Sequence, residues 1–162
     1  MIKKAIVLVS ALTMLVSGAL YTASAQDGPT PEQLAAAAAD TRQSVFKLLI
    51  FNLRPIAGMA QGAPFDAEVA ERNARNIAAL APMIPGLFAA MDTRGFDLET
   101  EALDVIWETP DEFAAKAQTL LENANTFAEV ASGGDMAATL GAFRGLGGSC
   151  GNCHDDFRVD ND

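Results

Sequence analysis

The chain has 162 residues, with 21 Asp and Glu against 11 Lys and Arg and a formal charge of -10. That length holds one ordinary domain. Its half-apolar composition excludes a disordered chain, and its acidity excludes phosphate-backbone binding, so no nucleic-acid partner is expected. Two cysteines are too few for a disulfide framework, and the single histidine, His154, excludes any site needing two imidazoles from one chain.

Lys3 and Lys4 precede an apolar run from Ala5 to Leu20, and Ala23-Ser24-Ala25 follows. A basic start, an apolar middle and an A-x-A site read as a secretory signal peptide over 1–25, cleaved after Ala25. The run is short for a membrane span, which wants about 20 apolar residues, and no cysteine follows the site to carry a lipid. The mature domain, 26–162, is therefore expected in a bacterial periplasm without a membrane anchor. Cleavage removes two lysines and no acid, so the exported chain is more acidic still.

The mature chain shows almost no strand signal and four helix starts. Thr30-Pro31-Glu32-Gln33 supplies a cap, a first-turn proline and a Gln three residues on, and Thr109-Pro110-Asp111-Glu112 repeats the design. Asp66 and Asp135 are further cap residues. The first helix is predicted from Pro31 to Gly58, with Val45, Leu48, Leu49, Asn52 and Ile56 at helical spacing and Pro55 bending the last turn. The second is predicted from Asp66 to Ile84, with Val69, Asn73, Ile77 and Leu80 on one face. The third carries Phe113, Ala117, Leu120, Leu121, Ala124, Phe127, Ala128 and Ala131. The fourth starts near Asp135 and holds Met136, Leu140, Phe143 and Leu146. Short joins make neighbours antiparallel, and the stretch 85–108 is read as a loop crossing one end of the bundle, pinned by Trp107 and Phe96.

Chemistry concentrates in Cys150-Gly151-Asn152-Cys153-His154, which reads as a c-type haem attachment site. Two thiols three residues apart share one side of a helix, where each can form a thioether to one porphyrin. His154 lies four residues after Cys150, about 40° round the helix, so its imidazole can reach iron. Arg158 follows one turn later, near that imidazole. Gly145, Gly147, Gly148 and Gly151 would each weaken a plain helix by about 1 kcal/mol, and make sense where a flat ring approaches the backbone. Three Cys and His ligands cannot close a structural zinc site. A redox CxxC or a chance occurrence are the other readings of the motif.

A four-helix chain closing on CxxCH resembles the class II cytochromes c, and most closely cytochrome c′. The resemblance includes Arg42-Gln43, Ala63-Pro64-Phe65-Asp66, Thr100-Glu101-Ala102-Leu103 with Ile106-Trp107, and Phe157-Arg158 after the motif. It implies an all-α antiparallel four-helix bundle with one covalently bound haem c. Cys150 and Cys153 would carry the haem, and His154 would be the axial ligand of its iron. Arg42 and Gln43 would lie near the haem and its propionates, with Thr100 and Glu101 approaching the same region.

The resemblance also places the residue four after the arginine over the other face of the iron. Here it is Phe46, whose benzyl group has no lone pair for iron, so a five-coordinate, high-spin haem is expected. The alternative is a low-spin, Met/His-ligated carrier of the cytochrome c556 type, with Met83 or Met91 as the sulfur donor. Electron transfer, binding of a diatomic gas such as NO or CO, or both, are the expected functions. Peroxide chemistry wants a distal acid–base group, and Phe46 offers no proton, so no enzymatic role is expected. The partners expected are a gas ligand, a periplasmic redox protein and a second copy of the chain in a homodimer.

Overall fold

A computed structural model describes residues 28–160; the expected signal peptide lies outside the described residues. The helices are α1 (Pro31–Ala60), α2 (Ala67–Leu80), α3 (Met83–Ala89), α4 (Val105–Glu108), α5 (Pro110–Ser132) and α6 (Met136–Phe157). The long helices α1, α2, α5 and α6 form the antiparallel four-helix bundle. Among the described residues none of the helices is long and apolar enough to cross a membrane.

Local chemistry sets three of the four long-helix starts as expected. Thr30 and Gln33 form a reciprocal capping box on α1. Asp66 accepts from the Val69 N–H at 3.0 Å, and Asp135 from the Ala138 N–H at 2.8 Å. The fourth start departs from expectation. Thr109 also ends α4, and its hydroxyl donates to the Val105 carbonyl at 3.1 Å instead of capping α5. The Val105 carbonyl thus accepts from both the N–H and the hydroxyl of Thr109, and α5 starts without a side-chain cap.

The predicted second helix ends early, at Leu80. Pro82 has no N–H for the Ala78 carbonyl and its ring crowds that carbonyl, so the chain breaks and restarts as α3. The segment read as a loop, 85–108, thus holds most of α3 and all of α4. Trp107 pins it as expected, its indole N–H donating to the Phe88 carbonyl at 3.1 Å. Phe96 is only half-buried. Gly62 (φ 101°) and Gly134 (φ 74°) turn the chain at the two short joins, in the left-handed region that a side chain disfavours.

The core is built from small residues as much as large ones. Ala70 and Ala74 on α2 and Ala124, Ala128 and Ala131 on α5 have no exposed surface. Their short side chains let α2 and α5 pack closely. Phe127, Ile56 and Leu146 fill the larger spaces. Two predicted inward positions face out. Leu48 is 50% exposed over the groove between α1 and α2, and Met136 is 53% exposed. On α6 the deep position belongs to Thr139, which buries because its hydroxyl donates to the Asp135 carbonyl at 2.7 Å.

Leu146, wholly buried, and Leu34, 48% exposed, should behave oppositely on truncation. Leu146→Ala is expected to lower holoprotein stability by about 2–5 kcal/mol, and Leu34→Ala to change it by less than about 0.5 kcal/mol, as read by denaturant unfolding followed by circular dichroism.

Candidate functional site

The motif Cys150–His154 lies in the last two turns of α6, with Cys150 and Cys153 half-buried against the core and His154 exposed. The two cysteines form no disulfide with each other. Burial pushes both thiols above the ordinary cysteine value, with the Lys116 cation opposing this at Cys153. Partial burial, then the Arg158 guanidinium, pushes the His154 imidazole below the ordinary histidine value. The neutral ring, with a lone pair on nitrogen, is the form a metal binds.

Helix α5 holds this turn of α6 from behind. Asn123 donates to the Ser149 hydroxyl at 2.8 Å and to the Gly145 carbonyl at 3.3 Å, just before Cys150. Lys116 pairs with Asp156 at 2.7 Å, just after His154. Phe157, buried, meets Phe113 edge-on with centroids 5.1 Å apart. Asn123, Ser149 and Lys116 escaped sequence reasoning. A buried serine one residue before the first cysteine is the only local signal.

The segment between α3 and α4 straps α1 to the end of α6. Gln43 donates to the Glu99 carbonyl at 2.9 Å. Glu101 pairs with Arg158 at 3.6 Å, and its carbonyl accepts from the Val159 N–H at 2.8 Å. The Leu103 N–H donates to the Phe157 carbonyl at 3.1 Å. The Thr100 hydroxyl accepts locally from the Ala102 N–H. Arg158 also closes α6, its N–H donating to the His154 carbonyl. The structure therefore ties Gln43 of α1 and Arg158 at the end of α6 to one strap, which carries Thr100 and Glu101.

Arg42 is drawn elsewhere. It is buried, and its guanidinium donates to the Leu87 and Met91 carbonyls and the Thr93 hydroxyl. Burial lowers its pKa, and the Asp92 carboxylate opposes that shift. Phe46, one turn on, is half-buried with its ring edge-on to Phe88. Met83 is exposed at the start of α3, and Met91 is half-buried where its carbonyl meets Arg42.

The chain's own residues fit a flat macrocycle. Helices α1 and α6 touch sparingly, whereas α5 packs extensively on α2 and α6. Cys150 and Cys153 share one side of α6 with His154, whereas of the glycines expected to open that helix Gly145 meets Asn123, Gly147 meets Phe143, and Gly148 and Gly151 are simply exposed. Among the described residues no cluster of three or more His, Cys, Asp and Glu could hold a bare metal ion.

Comparison with known proteins agrees. The profile of the family described as Cytochrome C′ matches residues 37–158. Cytochrome c-554 of Cereibacter sphaeroides is 38% identical over 152 residues, covering 93% of this chain and 96% of that protein. Cytochrome c′ of the same organism is 35% identical over 124 residues, covering 74% and 81%. The solved cytochrome c′ of Rubrivivax gelatinosus superposes with a TM-score of 0.67 at 32% identity, covering 76% of this chain and 96% of that one. On sequence, fold and site together, the chain belongs to the cytochrome c′ family, electron-transport proteins with one covalently bound haem c.

Proposed function

We propose that this protein is a periplasmic, five-coordinate haem protein that transfers electrons and binds small uncharged gases such as NO or CO. Cys150 and Cys153 hold the haem, His154 is the one protein ligand of its iron, and Phe46 covers the opposite face. When bound, the haem supplies an iron that exchanges one electron and accepts a small ligand. The observation carrying this reading is Phe46 itself, edge-on to Phe88, which can neither coordinate metal nor move a proton. Gln43, Thr100, Glu101 and Arg158 supply the polar border where propionates would lie. A peroxidase role finds no acid–base group at Phe46. Gas binding has a precedent in a variant of the Alcaligenes xylosoxidans cytochrome c′, solved as its nitric oxide complex.

The relatives named cytochrome c-554 and c-556 favour one second reading, a low-spin carrier with methionine on iron. Met91, tied to α1 through Arg42, is its donor. The ferric absorption spectrum separates the two. High-spin bands are expected from the wild type, and Phe46→Met should convert them to low-spin bands. Low-spin bands in the wild type that vanish in Met91→Ala would establish the second reading.

Export and attachment share one measurement. Intact mass of the protein recovered from the periplasm should equal residues 26–162 plus one haem. Replacing both Cys150 and Cys153 by serine should abolish the haem increment entirely.

The outer face of α1 suits a second copy of the chain. Phe51 is 71% exposed and Ile50 beside it 50% exposed, while Leu48, 50% exposed, flanks Phe51 on the side toward α2; large apolar side chains left in water cost solubility on a monomer. A similar solved cytochrome c′ is described by its ligand-controlled dimer dissociation. Phe51→Asp should weaken the homodimer about thirtyfold, equivalent to about 2 kcal/mol, as measured by sedimentation velocity across a dilution series.

A further inference from the structure

Two polar links join α5 to α6, one on each side of the CxxCH motif. In the first, the Asn123 amide donates to the Ser149 hydroxyl at 2.8 Å and to the Gly145 carbonyl at 3.3 Å. The Ser149 hydroxyl gives its own hydrogen to the same carbonyl at 3.0 Å. The three bonds are mutually compatible, because an amide nitrogen has two hydrogens to give and a hydroxyl can donate once while its lone pairs accept. Ser149 is 4% exposed, so the link is shielded from water. In the second, the Lys116 ammonium pairs with Asp156 at 2.7 Å.

The spacing of the links is the same on both helices. Lys116 precedes Asn123 by seven residues, and Asp156 follows Ser149 by seven. Seven residues are two helical turns, about 10.5 Å. The links therefore fall in one antiparallel register and enclose Cys150, Cys153 and His154 between them. The buried α5 side chains of this stretch, Ala117, Leu120 and Ala124, are apolar. Apolar contact is non-directional, and a single polar link would act as a pivot. Two links two turns apart fix both the rotation of α6 about its axis and its slide along α5.

Ser149 and His154 are five residues apart, about 140° round the helix. The Asn123 link thus lies on the side of α6 turned toward α5, away from the imidazole, and reaches that ring only through the helix backbone. A serine hydroxyl bonded to the carbonyl four residues back tends to bend a helix. Here that serine stands next to Cys150, and Asn123 holds the same carbonyl from outside.

We infer that Asn123 and Lys116 are positioning residues, which together set the rotation of α6 against α5 and so the direction from which the His154 ring meets the haem iron. This rests on the reading of His154 as the axial ligand. The exposed Lys116 pair adds little stability by itself; what it adds is register.

His154 is the chain's one histidine, so ring-labelled histidine in the ferric holoprotein gives a single pair of nitrogen resonances, whose paramagnetic shifts report how the ring sits on iron. Asn123→Leu and Ser149→Ala should each move these resonances with no change of charge. The double variant should move them by less than the sum of the two, because both act on one link. Ser149→Ala removes only an oxygen and adds helix propensity, so it tests the link without burdening the fold. Adding Lys116→Met to Asn123→Leu should move the resonances furthest, whereas Lys116→Arg keeps the ion pair and should leave them in place. Amide exchange over 150–154 should rise about fivefold in Asn123→Leu, the effect of one ordinary hydrogen bond. A lowered denaturant midpoint in Asn123→Leu and Ser149→Ala with the ring resonances unmoved would show that the links only stabilise the seam, and would overturn the inference. A wild type whose histidine resonances carry no paramagnetic shift would instead refute His154 as the ligand, and the inference with it.

Discussion

One turn of α6 must keep two thiols and an imidazole on one side of a helix that is poorly suited to hold itself straight. Gly145, Gly147, Gly148 and Gly151 remove side chains from that stretch, and each glycine weakens a helix interior by about 1 kcal/mol. The rigidity comes from outside. Asn123 takes hold of the Gly145 carbonyl and the Ser149 hydroxyl on one side of the motif, and Lys116 holds Asp156 on the other. Phe157 packs on Phe113, and the strap from Leu103 closes the end. Glycine weakens this stretch of α6, and α5 supplies the order that glycine gives up.

The packing around Phe88 is organised differently. It is aromatic and is fixed by one buried cation. Phe46, Phe88, Phe113 and Phe157 form a chain of ring contacts that runs from α1 to α6 and ends three residues from His154. Edge-to-face contacts of this kind add roughly 0.5–1.5 kcal/mol each beyond area burial. They join α1, α3, α5 and α6 into one packed unit, although α3 carries no residue of the CxxCH motif.

What was legible in the sequence is what is locally determined. Capping residues reach amides three positions away, so Thr30, Asp66 and Asp135 announce their helices. CxxCH announces a chemistry because its spacing is itself the geometry. The third long helix was plain because Phe113 to Ala131 repeats with the helical period. The misses depend on partners distant in the chain. Thr109 looks like a cap until α4 is seen to end on it. Leu48 looks like core until α2 is seen to leave a groove beneath it. Asn123 reads as an unremarkable helix residue until Ser149, 26 positions on, comes to meet it. Arg42 was recognised as important through resemblance alone, and no local pattern says that its acceptors lie 45 to 51 residues away.

The electrostatics of the haem-bearing end follow from the same arrangement. The molecule is strongly acidic, yet near His154 two of the acids have basic partners: Asp156 has Lys116, and Glu101 has Arg158. Pairs this exposed add little to stability, so their consequence is better sought in the site itself. Asp155 and Glu101 alone would favour a charged imidazolium. Arg158 and partial burial act the other way and together prevail, leaving the ring below its ordinary pKa. A proton and a metal compete for the same imidazole nitrogen, and a neutral ring has its lone pair available. Arg158 contributes to the lowered pKa from four residues beyond His154 while its backbone N–H closes the helix that carries the ring.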